Sequence, residues 1–181
     1  MTKPNAIIIC CEGTLFNLDH RRKYIDPDKN PIAQYGMIVH GNSPIPTWIN
    51  KQTGDRWKPQ WDEFHEASRL DTPYANILEI LKCLKDKLVL CFIADRPPSK
   101  KAITERQLEK WGCAKFGKKS TSLLFLRHEF DNRTLSQFKR ETFLTNIQPH
   151  YNVIACLESR LESTDMWADL GLHVLFSSGE K

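Results

Sequence analysis

Short, unbroken apolar runs alternate along this chain with stretches in which apolar residues recur every three or four positions. The runs extend from Ala6 to Cys11 (AIIICC), Leu88 to Ala94 (LVLCFIA), Leu123 to Leu126, Val153 to Leu157 (VIACL) and His173 to Phe176. Unbroken hydrophobicity rich in β-branched residues marks a strand covered on both faces. Between the runs the spacing predicts helices. One begins at Thr72-Pro73, a hydroxyl suited to the N-cap followed by a proline suited to the first turn, and continues through Ile77, Leu78, Leu81 and Leu84. Others are predicted from about Ser99 to Trp111, from Thr134 to Ile147 and from Glu162 to Leu170, with Gly112 and Gly171 as stops. Strand and helix in alternation read as an α/β fold, a five-stranded, mainly parallel sheet in a three-layer Rossmann-like arrangement.

One connection breaks this rhythm. Phe16 to Trp61 is far longer than an ordinary strand-to-helix loop. Inside it, the segments Met37 to His40 and Thr47 to Trp57, with Gly41-Asn42 and Thr53-Gly54 as turns, predict hairpins. Trp48, Trp57 and Trp61 would supply a small apolar cluster. The expectation is a single domain over 1–181 with a small inserted cap at 16–61, serving as a lid, a partner surface or a packed loop.

With 181 residues, 40% hydrophobic and 27% charged, the chain has the composition of a globular protein with one core. No apolar run approaches a membrane span, and the first residues do not resemble a leader, so the expected location is cytoplasmic, without a membrane partner. The net charge of +4 tolerates an anionic partner without requiring one. Six cysteines show neither CxxC spacing nor a Cys/His array, so they are expected to be buried thiols in a reducing compartment. His65, His128 and His150 lack the spacing of metal ligands.

Chemistry is suggested where the first run ends, at Cys10-Cys11-Glu12-Gly13-Thr14-Leu15. This resembles the Asp-x-Asp-Gly-Thr-Leu signature of the haloacid-dehalogenase-like (HAD) superfamily, in frame. Ala94-Asp95-Arg96 stands where the family has Ser/Thr-Gly-Arg, and Lys139 is placed like the family lysine. Leu157-Glu158-Ser159-Arg160 through Met166-Trp167 and Gly171-Leu172 is similar to the Asp-Asp-Arg…Met-Trp segment of phosphatase domains in phage-type polynucleotide kinases. Leu18-Asp19-His20-Arg21 and Trp61-Asp62-Glu63-Phe64 resemble the same group. The resemblance implies the HAD fold and a site at the C-terminal edge of the sheet, where the first carboxylate attacks phosphorus and the second transfers protons.

The departures fall on those positions. Cys10 replaces the nucleophile, Glu12 the acid and base, Ala94 the phosphate-binding hydroxyl, and Glu158-Ser159 the metal-binding acidic pair. A thiol is a poor ligand for hard magnesium, and an extra methylene at Glu12 displaces the proton-transferring oxygen by a distance that already matters for rate. Thiolate chemistry of the tyrosine-phosphatase kind needs an arginine six residues after the cysteine, and Phe16 and Asn17 stand there instead. No catalytic residue, metal or cofactor is therefore expected; magnesium enters only if Glu12 and Glu158 still activate a metal-bound water.

Gly13, Thr14, Arg96 and Lys139 remain as a candidate phosphate cradle, although Lys139 has Glu12 or Glu158 as a competing partner. His20, Arg21, Arg22 and Lys23, and separately Lys115, Lys118 and Lys119, form basic runs that meet nucleic acid or simply face solvent. Tyr24, Trp48 and Trp57 are candidates for base stacking. The leading expectation is a pseudophosphatase acting as a binding module for a protein partner or assembly, of the phage accessory kind that the resemblance implies, with His20, Arg21, Arg22, Trp48 and Trp57 at the contact. The alternatives are a nucleic-acid or nucleotide phosphate-end binder and a weak magnesium-dependent phosphatase.

Overall fold

The computed structural model describes residues 2–29, 35–38, 47–50, 55–117 and 120–177. In chain order these form β1 (Asn5–Cys10), β2 (Phe16–Asn17), α1 (Asp19–Arg22), β3 (Tyr35–Ile38), β4 (Thr47–Asn50), α2 (Trp61–Glu66), β5 (Thr72–Pro73) and α3 (Ala75–Leu84). There follow β6 (Val89–Ala94), α4 (Lys101–Lys110), β7 (Ser122–Leu126), α5 (Leu135–Thr142), β8 (Asn152–Glu158), α6 (Leu161–Asp169) and β9 (Val174–Phe176).

Two compact units divide the chain: one holds 1–17 and 72–181, the other 18–71. In the first, the five predicted runs form one sheet of order β7-β6-β1-β8-β9, parallel throughout. The strand order grows outward from β1 in both directions, and right-handed crossovers then place α4 on one face and α5 and α6 on the other. On the second face Ala6, Ile8, Cys10, Cys91, Ile93 and Cys156 pack with Phe138, Phe143, Ile147 and Trp167. The alternate positions Ile7, Ile9, Leu90 and Phe92 are equally buried and point the other way. Central strands sandwiched in this manner explain why the sequence shows unbroken apolar runs rather than alternation.

The predicted helix start at Thr72-Pro73 is corrected. Those residues form β5, paired antiparallel with β2, and Tyr74 N–H donates to the Leu15 carbonyl at 2.9 Å. Pairing of this kind holds Thr72 to Tyr74 extended, so α3 begins only at Ala75 and Thr72 does not cap it. The helix predicted from Thr134 is sharply defined at its start: the Thr134 side chain accepts from Gln137 N–H and the Gln137 side chain accepts from Thr134 N–H. It continues past Thr142 as a π-helical turn over Phe143–Ile147.

In the second unit β3 and β4 form an antiparallel ladder, and Ile49 also bridges Arg56. The predicted turns at Gly41-Asn42 and Thr53-Gly54, and the Trp48 side chain, lie outside the described residues. Trp61 packs edge-on against Phe64 at 5.7 Å and stacks on His65 at 6.2 Å. Arg21 is fully buried, gripping Asp71 through two bonds of 2.9 and 2.8 Å with its guanidinium 4.2 Å above the Phe64 ring.

Among the described residues no helix is long and apolar enough to cross a membrane.

Candidate functional site

The C-terminal ends of β1, β6 and β8 converge where chain connections leave in opposite directions, the usual ligand position in such sheets. Cys10 closes β1, Ala94 closes β6 and Glu158 closes β8, so the sequence-singled positions meet at one edge. After Cys10 the chain folds back in a tight turn. The Cys11 carbonyl accepts from Leu15 and Phe16 N–H at 3.1 and 2.9 Å, and Gly13 supplies the positive φ of 79° that this path requires. Gly13 N–H is itself given to the Phe16 carbonyl at 3.0 Å.

Two buried ion pairs occupy the edge. In the first, Glu12 receives Arg96 Nε at 2.6 Å on one oxygen and Asp95 N–H at 2.8 Å on the other. Arg96 is fully buried; its Nη1 donates to Gln107 Oε1 at 2.6 Å and Thr104 Oγ1 at 3.2 Å, and its guanidinium lies 5.2 Å from the Phe16 ring centre. Thr104 and Gln107 sit three apart on α4, on its inward face, which lets one helix hold the far end of the guanidinium.

In the second pair Lys139 Nζ donates to Glu158 Oε2 at 2.6 Å and to Ser163 Oγ at 3.2 Å. The same Glu158 oxygen receives Cys10 Sγ–H at 3.0 Å and the Trp167 indole N–H at 3.2 Å. Its other oxygen receives Ser159 and Arg160 N–H at 3.0 and 3.1 Å. Thr14 donates its hydroxyl to Ser159 Oγ at 3.0 Å. Lys139 reaches this point because α5 turns Phe138, Lys139 and Thr142 inward. Trp167 does so because it stands edge-on to Phe143, ring centres 5.9 Å apart, inside the core.

Electrostatically the second pair is locked in its charged form. Burial pushes the Glu158 carboxyl up, but Lys139 beside it, helped by the Cys10 and Arg160 hydrogen bonds, outweighs this and holds it below the ordinary carboxylate range. Burial likewise pulls the Lys139 ammonium down, and its acidic neighbours Cys10 and Glu158, the latter also through its hydrogen bond, more than offset this and leave it raised. Away from this pair, burial pushes the thiols up: Cys91 to about 12, Cys113 to about 11, and Cys11 and Cys156 well above their usual value, with Glu12 adding to the effect at Cys11 and Cys10 at Cys156. None of these four is poised as a nucleophile.

The structure thus brings Cys10, Glu12, Gly13, Thr14, Ala94, Arg96, Lys139, Glu158 and Ser159 to one edge. Of the remaining candidates, His20, Arg21, Arg22, Lys23, Tyr24, Trp48 and Trp57 belong to the other unit, while Lys115 precedes β7 in this one. His20 is partly exposed and bonded to the Ala67 carbonyl at 3.1 Å, Arg21 is buried against Asp71, Arg22 lies 3.8 Å from Asp19, and Trp57 is half-buried. Lys118 and Lys119 lie outside the described residues. Trp167, Thr104 and Gln107 were not among the sequence candidates. The polar pair on the inward face of α4 was a readable signal for the last two; the sequence marks Trp167 only through the Met-Trp segment and gives no sign of its bond to Glu158.

Comparison with known proteins agrees with this geometry. Residues 51–178 match the polynucleotide kinase PNKP phosphatase domain family. No curated protein matches the chain. Among solved structures, a chain of the Pnkp1/Rnl/Hen1 RNA repair complex superposes with TM-score 0.64 at 23% identity, over 97% of this chain and 42% of that one. A chain of a second Pnkp1/Rnl/Hen1 complex gives 0.62 at 22%, over 98% and 47%. The class C acid phosphatase of Bacillus anthracis with tungstate bound gives 0.55 at 13%, over 97% and 67%. This chain therefore spans less than half the length of the two repair-complex chains. With the sheet order, the converging edge and the match over most of its length, the chain belongs to the polynucleotide kinase PNKP phosphatase domain family and has its HAD-like fold.

Proposed function

We propose that this domain is a catalytically silent member of its family that serves as a binding module for a protein partner. The observation carrying the reading is the closure of the edge on itself, with Cys10 donating to a Glu158 carboxylate that Lys139 also holds. Phosphoryl transfer through a covalent intermediate needs a nucleophile with a free lone pair, which the HAD signature supplies at this position as a carboxylate oxygen. Here that place is taken by sulfur whose proton is already committed. The cations that would stabilise a transferring phosphoryl group are each neutralised by a carboxylate in contact, Arg96 by Glu12 and Lys139 by Glu158.

The residues present do not fit a magnesium ion. It requires near-octahedral oxygen ligands, whereas both oxygens of Glu12 and both of Glu158 are occupied by N–H or S–H donors. Among the described residues no group of three or more His, Cys, Asp or Glu side chains is arranged to hold a metal.

Neutralised cations also favour a protein partner over a phosphate end. The relatives solved within a multi-protein repair complex add weight to that choice. The test is phosphate release from 3′-phosphorylated oligonucleotides and nucleotides with Mg²⁺. No release above blank is expected from the native chain, and recovery is expected when Cys10→Asp, Glu12→Asp, Ala94→Thr, Glu158→Asp and Ser159→Asp are combined. Magnesium-dependent release by the native chain, abolished by Glu158→Gln, would overturn the reading.

A further inference from the structure

The sheet ends in two edges of different character. On one side β9 has only three residues, too short to template another strand well. On the other, β7 has five, SLLFL, in unbroken register with β6 and without proline, lysine or a bulge to blunt it. Leu90 N–H donates to the Thr121 carbonyl at 2.9 Å and Arg127 N–H to the Ala94 carbonyl at 3.2 Å. In a parallel ladder the bonding groups alternate. Thr121, Leu123, Phe125 and Arg127 therefore face β6, and Ser122, Leu124 and Leu126 turn their N–H and C=O outward.

Ser122 is capped by its own neighbour: its N–H donates to Ser120 Oγ at 2.9 Å, and that hydroxyl lies 3.3 Å from its carbonyl. Leu124 and Leu126 have no such partner among the described residues. Beside them lies a groove of about 350 Å³ lined by Leu124, Phe125 and Leu126 on one wall and Phe138, Arg133 and Thr142 on the other.

We propose that β7 is the seam of a two-fold dimer, in which two copies of this chain pair their β7 strands antiparallel about Phe125. In that register Leu124 of one copy faces Leu126 of the other, and each such pair exchanges both N–H···O bonds. The outward set on one copy is thus complementary to the same set on a second.

Charge agrees with the antiparallel sense. A second cleft of about 440 Å³ at the start of the strand is lined by Lys85 and Lys115, which outnumber Asp86, together with Thr121. Past the strand's end stand the exposed Glu129 and Phe130, the latter 79% accessible. Antiparallel pairing carries the end of one strand to the start of the other, bringing Glu129 to the lysine-lined cleft. Parallel pairing would leave the two apart. This inference does not depend on whether the site at the sheet's C-terminal edge is silent.

The test is sedimentation of the full chain over a wide concentration range, combined with amide hydrogen exchange. A concentration-dependent dimer is expected, with the Leu124 and Leu126 amides protected in the dimer and released on dilution. Leu124→Pro removes an outward N–H while leaving the ladder to β6 intact, and should weaken the dimer at least about tenfold. Should that variant fold poorly, Glu129→Lys, a surface change, should weaken it at low salt while leaving the circular dichroism unaltered. A monomer at every concentration, a dimer indifferent to both changes, or protection that arises at β7 only when a foreign extended peptide is added would each overturn the proposal.

Discussion

At the scale of single residues, the carboxylate of Glu158 organises its surroundings. It is fully buried and receives five donors, from Lys139, Cys10, Trp167, Ser159 and Arg160. Glu158→Gln leaves the Lys139 ammonium buried without its counter-ion and should cost about 3–5 kcal/mol in urea unfolding. Glu158→Gln with Lys139→Met should recover much of that loss. The pH dependence follows from the directions of the two shifts. The carboxyl is depressed in the folded chain, so its contribution is present above the unfolded value of about 4.3 and is lost as pH falls through the lower folded value. The ammonium is raised, so its contribution is full below about 10.4 and is lost as pH climbs through the folded value. Unfolding titrations should show a plateau between these limits whose acid flank is shallower in Glu158→Gln. Thiol reactivity is a second residue-scale check. Of the six cysteines only Cys83 is exposed, so a water-soluble thiol reagent should modify one equivalent in the native chain and six after denaturation.

At the scale of elements, the Thr134/Gln137 reciprocal cap fixes where α5 begins and hence how Lys139 is aimed. Thr134→Ala should cost about 1 kcal/mol, read as a lowered urea midpoint with unchanged slope. Elements of the sheet were legible because each central strand is apolar on both faces, a property the residues carry themselves. The pairing of Phe16-Asn17 with Thr72-Pro73 was not, since two-residue ladders depend on partners more than fifty positions away, and so a local cap signal at Thr72 pointed to a helix that starts three residues later. The same reason divides the site. Cys10, Glu12 and Glu158 were readable because they stand in recognisable frames at strand ends. Their connection was not, because the thiol and the carboxylate that accepts its proton are 148 positions apart.

Across the whole molecule, ligand linkage offers a check independent of turnover. A ligand that binds only the folded chain raises its melting temperature in proportion to RT ln(1 + [L]/Kd). Millimolar Mg²⁺ should leave the native chain's melting temperature unchanged relative to a matched chloride control, and a chelator should likewise have no effect. The combined variant carrying Asp at 10, 12, 158 and 159 and Thr at 94 should melt higher with Mg²⁺ than without. A clear upward shift in the native chain would show that the paired edge opens to admit the ion.

The many-handed carboxylate at the end of β8 also limits which single substitutions this edge tolerates. Asp at 158 alone would draw the anion back by a methylene from an ammonium, a thiol and an indole that all converge on its present place. Asp at 10 alone would set a second negative charge against the first. Each change taken singly gives a less stable chain, so carboxylates could enter this edge only if several positions changed together.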